Sequence, residues 1–140
     1  MLECLIIGDS IAQGIANVRT ECVDYAHGGY NSWQINKLYR TTTLNAETVI
    51  ISLGTNDHKY IDTYKELIQL RSRIKAKRVF WILPANVNPK SGTDIGIVQA
   101  SVESIAGAHG DRILAIPRPM ADKYHPTTVG YKNLANQTRR

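Results

Sequence analysis

Apolar residues fall along this chain in two rhythms. Short apolar runs at residues 2–7, 21–26, 48–53, 78–83 and 112–116 read as strands, separated by longer stretches of helical character at 11–18, 32–39, 63–74, 93–108 and 127–138. The middle run, TVIISL, is nearly continuous in β-branched and apolar residues, the pattern of a strand covered on both faces. The fourth helical stretch places Ile95, Val98, Val102 and Ile105 at spacings of 3, 4 and 3, with Thr93 or Asp94 positioned to cap it.

Strand and helix alternating five times predict an α/β chain, a three-layer α/β/α sandwich around a five-stranded parallel sheet. Right-handed crossovers favour the flavodoxin-like strand order 2-1-3-4-5. In such a sheet, ligands bind beyond the carboxyl ends of the strands. With 140 residues, no internal repeat and no Pro/Gly-rich linker, residues 1–140 read as one domain.

Composition adds little: 43% hydrophobic and 21% charged residues are ordinary for a globular domain. The net charge of +5 raises nucleic acid as a partner, but the basic residues are scattered apart from RSRIKAKR at 71–78 and Arg139 with Arg140. The first run reads as a solvated helix face, so no nucleic-acid partner is expected. LECLII after Met1 is too short for a signal-peptide core or a membrane span. Cytoplasmic synthesis without a membrane partner is the expectation, with the final location open. Cys4 and Cys22 lie in apolar runs and read as buried small hydrophobes, a disulfide or a reactive thiol being the competing reading. Neither has a metal-ligand spacing, and no metal is expected.

The chemically suggestive residues cluster after the strands. Gly8-Asp9-Ser10 follows the first, where a glycine permits a sharp turn and a serine can land at a helix N-terminus, although Asp9 or Ser10 could simply cap that helix. Gly28-Gly29 follows the second and is either an unobstructed backbone donor or a plain turn. Gly54-Thr55-Asn56-Asp57 follows the third; Asn56 offers a neutral amide donor, or belongs to an ordinary turn. In Asp122-Lys123-Tyr124-His125-Pro126 an aspartate three residues before a histidine can hold its Nδ1–H and leave Nε2 as a base, with Pro126 at the first position of a helix. A surface histidine beside a capping aspartate is the plain alternative. GDSIAQG lacks the glycine two residues after the serine that an α/β-hydrolase elbow has, and the lysine of a P-loop.

Taken together, the blocks resemble the SGNH (GDSL-type) hydrolases. Gly8-Asp9-Ser10 with Gly14, then Gly29, then Gly54-Thr55-Asn56-Asp57, then Asp122-Lys123-Tyr124-His125-Pro126 with Gly130-Tyr131 run in that family's order from residue 5 to residue 131. The resemblance implies a serine esterase with Ser10 as nucleophile, His125 as general base and Asp122 orienting it. It also implies an oxyanion hole from the Ser10 and Gly29 N–H groups and the Asn56 amide, with no cofactor. Because Ala26-His27-Gly28 stands where the family often carries asparagine, Gly28 is an alternative donor. His27 and His58 flank these donors as possible substrate contacts; His109 reads as a cap or surface residue.

The resemblance further implies a small or polymeric acylated substrate, with acetyl esters on a carbohydrate first. A lipid esterase or thioesterase is the alternative, and a non-catalytic polyanion-binding module on the same fold is the competitor from another class. The longest irregular stretch, residues 84–92, is too short for a lid, so the site is expected to be a shallow open groove. Lys90, Arg118 and Lys123 beside it could draw an acidic carrier. The oligomeric state is not encoded in any of these patterns.

Overall fold

The computed structural model describes residues 1–87 and 91–140. Within them the chain runs β1 (Leu2–Gly8), α1 (Ser10–Val18), β2 (Val23–Ala26), α2 (Ser32–Leu38), β3 (Leu44–Ser52), α3 (Thr63–Ser72), β4 (Ile74–Leu83), α4 (Ile95–His109), β5 (Arg112–Ala115) and α5 (Thr128–Gln137). The strands pair in parallel in the order β2-β1-β3-β4-β5, as the alternation of elements predicts.

Alternate residues of the central strands feed two cores. Leu5, Ile7, Val49, Ile51 and Trp81 pack with Ile35 of α2, Leu67 and Leu70 of α3, and Val102 and Ile105 of α4. Cys4, Ile6, Ile50, Phe80 and Ile82 face the other way, onto Ile11 and Ile15 of α1 and Leu134 of α5. A strand covered on both faces needs no polar alternation, which is why TVIISL is so uniformly apolar. Asp94 caps α4, its carboxylate accepting the Ile97 N–H.

Three expectations are corrected. Residues 71–78 are not one helix face: α3 ends at Ser72, Arg73 caps it, and Ile74 opens β4. Ile74 and Ala76 pair in register with Leu44 and Ala46, while Lys75 and Lys77 point outward in strand alternation. Arg71 pairs with the buried Asp111 carboxylate at 2.8 Å, and Arg73 donates to the carbonyls of Tyr39 and Thr42. Cys4 and Cys22 are buried as expected but bonded to each other, tying β1 to the segment before β2. Among the described residues these two and Glu21 form the one cluster with metal-ligand proximity, and the bond takes both thiols out of it. Pro126 precedes the cap of α5 instead of starting the helix; Thr127 is the cap, accepting the Gly130 N–H. Among the described residues no helix is long and apolar enough to cross a membrane.

Candidate active site

The turn out of β1 is tight. Gly8 has φ +146°, and a Cβ there would lie 1.9 Å from the Ser52 carbonyl oxygen of β3, so only glycine allows the two strands to close at this edge. Asp9 then caps α1: its Oδ1 accepts the Ile11 N–H at 3.1 Å and the Ser52 hydroxyl at 3.0 Å. Burial pushes the Asp9 carboxyl up from 3.8 to about 6, against the pull of those hydrogen bonds. Since Asp9 satisfies the cap, the Ser10 side chain is left free at the helix N-terminus.

That hydroxyl meets His125. Ser10 Oγ lies 2.8 Å from His125 Nε2, and His125 Nδ1 lies 2.8 Å from Asp122 Oδ2. Asp122 Oδ1 also accepts the backbone N–H groups of Tyr124 and His125, both at 2.7 Å. These N–H groups, followed by the imidazole, hold the Asp122 carboxyl down at about 2, so it is an acceptor at neutral pH. A neutral His125 must therefore carry its proton on Nδ1, and its Nε2 lone pair accepts from Ser10. The supporting loop is closed by Ala121 N–H donating to the His125 carbonyl and by a bridge between Met120 and Pro126.

The opposing wall comes from the loops after β2 and β3. Tyr30 N–H closes a turn on the His27 carbonyl, with Gly29 at φ +81° inside it. A Cβ on Gly28 would stand 4.0 Å from Ser10 Cβ, whereas one on Gly29 would meet nothing within 4 Å. Asn56 donates one amide N–H to the Tyr30 carbonyl at 3.1 Å, which fixes the amide plane beside the glycine turn. Ser10, Gly28, Gly29, Asn56 and His125 line one cleft of about 640 Å³, a volume suited to a small-molecule group.

Sequence reasoning did not single out Ile11, Thr55, Ser91 or Tyr124, which line the same cleft. Ser91 is held through Thr93, whose hydroxyl donates to the Thr55 carbonyl, a contact between distant loops with no local signature. Asp57 was also missed as a support. Buried, it accepts from Ser32 N–H at 2.8 Å, Ser32 Oγ at 2.6 Å and Thr63 Oγ1 at 2.7 Å, joining α2 and α3 to the loop that carries Asn56. The two flanking histidines lie elsewhere. His27 turns its ring onto Tyr30 at 4.9 Å and hydrogen-bonds the Tyr39 hydroxyl. His58 lines a separate hollow with Lys59 and Thr93. Neither lines the cleft. His109 ends α4 with Nδ1 on the Ile105 carbonyl, and Lys90 lies outside the described residues.

No protein-family model matches the sequence, and no curated protein matches it. Solved structures do match. The lipase/acylhydrolase of Enterococcus faecalis superposes with a TM-score of 0.69 at 16% identity, over 97% of this chain and 92% of that one. A GDSL-like lipase of Bacteroides thetaiotaomicron gives 0.68 at 19%, over 96% and 84%. A carbohydrate acetylesterase family member of Sinorhizobium meliloti gives 0.60 at 11%, over 97% and 94%. Likenesses at these identities are of architecture, and the architecture of this chain is that of the SGNH (GDSL-type) hydrolases.

Proposed function

We propose that the chain is a carboxylic ester hydrolase working through an acyl-Ser10 intermediate. The observation that carries this reading is the continuous hydrogen-bonded line Ser10–His125–Asp122 opening into a cleft walled by Gly28, Gly29 and Asn56. His125 Nε2 takes the hydroxyl proton as Ser10 Oγ attacks the acyl carbonyl. The resulting oxyanion is met by the first-turn N–H of Ser10, an N–H of the glycine turn and the second amide N–H of Asn56. Collapse expels the alcohol, which takes the proton from imidazolium. Water, deprotonated by the same nitrogen, then releases the acid and restores Ser10.

The substrate reading is a short acyl group, acetyl first, on a carbohydrate carrier. Asp122 and His125 are 54% and 36% exposed, so this side of the cleft is open to a bulky alcohol part. The carbohydrate acetylesterase family member among the similar folds supports the same choice. A fluorophosphonate probe should label the wild-type protein and not Ser10→Ala. An open site gains little of the roughly 0.8 kcal/mol that each buried methylene would contribute, so nitrophenyl acetate should be turned over at least as efficiently as the octanoate. A kcat/KM climbing steadily toward eight or ten carbons would instead establish a lipid esterase.

A further inference from the structure

Trp33, the second residue of α2, is 50% exposed, while Trp81 is fully buried. The indole stands between two hollows of about 400 and 420 Å³. Trp33 and Lys37 line both; Tyr30 and Gln34 belong to one, Arg40 and Glu66 to the other. We infer that this face of α2 is a subsite for the carrier portion of the substrate, and that the carrier is an acidic glycan. The inference rests on the esterase reading above and extends it to the alcohol side of the ester.

Three observations carry it. The first is position. Trp33 follows the cleft residue Gly29 by four residues, and Tyr30, the residue after Gly29, holds the cleft's Asn56 through its carbonyl and itself lines one of the two hollows. The second is rigidity. Asn31 and Gln34 form a reciprocal capping box at the start of α2, and Ser32 is clamped by the Asp57 carboxylate through both its N–H and its hydroxyl. Platform and cleft therefore belong to one frame, and a long substrate can engage both without reordering the protein.

The third is chemistry. Lys37 Nζ sits 4.9 Å from the centre of the Trp33 ring, and among the described residues neither Lys37 nor Arg40 forms an ion pair. Glu66 accepts from the Asn36 amide and is, among the described residues, the one acid of its hollow, against Lys37, Arg40 and Arg73. The surface thus pairs an aromatic plane with unneutralised cations and an amide. A sugar ring presents an apolar C–H face to such a plane and hydroxyls to its rim, and a uronate carboxylate answers Lys37 and Arg40. A lipid tail would meet the cations Lys37 and Arg40 where it needs apolar surface.

The test uses Ser10→Ala protein, which can bind without turnover, run through gels cast with de-esterified polygalacturonate. Retardation is expected, and Trp33→Ala or the pair Lys37→Ala/Arg40→Ala should weaken it about tenfold, the scale of losing one aromatic or charged anchor. Oligogalacturonate should also shift the tryptophan emission, which reports Trp33 because Trp81 is buried. With Ser10 intact, Trp33→Ala should lower the ratio of kcat/KM on acetylated polygalacturonate to that on nitrophenyl acetate by about tenfold. Undiminished retardation in these variants overturns the subsite. So does equal retardation by neutral xylan, an equal emission shift with a thymidine oligonucleotide, or an emission shift that tracks self-association. Retardation without nitrophenyl acetate turnover in the wild type would sink the esterase reading and leave the glycan site standing; turnover without retardation does the reverse.

Discussion

Asp9 caps α1 so that Ser10 need not, and this division leaves the Ser10 hydroxyl for His125. The arrangement costs stability. A carboxyl moved from 3.8 to about 6 prefers its proton in the folded state, so folding weakens as pH rises through that interval, by about 3 kcal/mol in total. In Asp9→Asn the side-chain oxygen still accepts from Ile11 and Ser52 but no longer titrates. Urea unfolding at pH 4.5 and 7.5 should show this variant gaining on wild type between the two pH values; parallel pH dependence would mean that Asp9 is not strained by burial. Asp122 has the opposite sign: held at about 2, it favours the fold above its ordinary 3.8 and keeps accepting from His125 well into acid. Asn56→Ala should keep the fold and lose on the order of 100-fold in kcat, as loss of an oxyanion donor does. Full turnover in that variant would remove Asn56 from the mechanism.

At the scale of elements, the site is held by side chains that join helices to loops. Asp57 accepts three hydrogen bonds from the starts of α2 and α3. Asp57→Ala should cost about 3 kcal/mol or more, since it strands buried donors, and should lower kcat by loosening Asn56. Thermal unfolding with kinetics on the same sample checks both. Gly14 of α1 shows a second kind of joint. A Cβ there would lie 2.2 Å from the Tyr131 ring of α5, so the glycine is space for an aromatic and not freedom for the backbone. Burial, with Asp9 and Asp122 nearby, raises the Tyr131 hydroxyl to about 12. Gly14→Ala should destabilise by roughly 1–3 kcal/mol through overpacking, and the smaller side chain of Tyr131→Leu in the same protein should restore part of the loss. Strictly additive losses would show that the two do not share this space.

At the scale of the molecule, the Cys4–Cys22 bond closes a loop of 18 residues and sits away from the carboxyl edge that carries the cleft. Reduction should lower stability by about 3 kcal/mol on the chain-entropy account while the folded protein keeps its turnover. Unchanged unfolding in dithiothreitol would make the bond energetically idle. Strand and helix periods, the sheet order and the placement of the suggestive residues at one edge were all legible in the sequence, because each depends on local patterning and on chain-wide rules of crossover. The tight turn at Gly8, the cap beside it and the Asp122–His125 fold-back were legible because each is built within a few residues. Only the tertiary structure decided that Ser10 meets His125, that Cys4 reaches Cys22, that His27 turns to Tyr39, and that Asp57 binds two helix starts. Each of these joins residues from different elements, and such contacts are set by packing between segments whose spacing along the chain carries no signal.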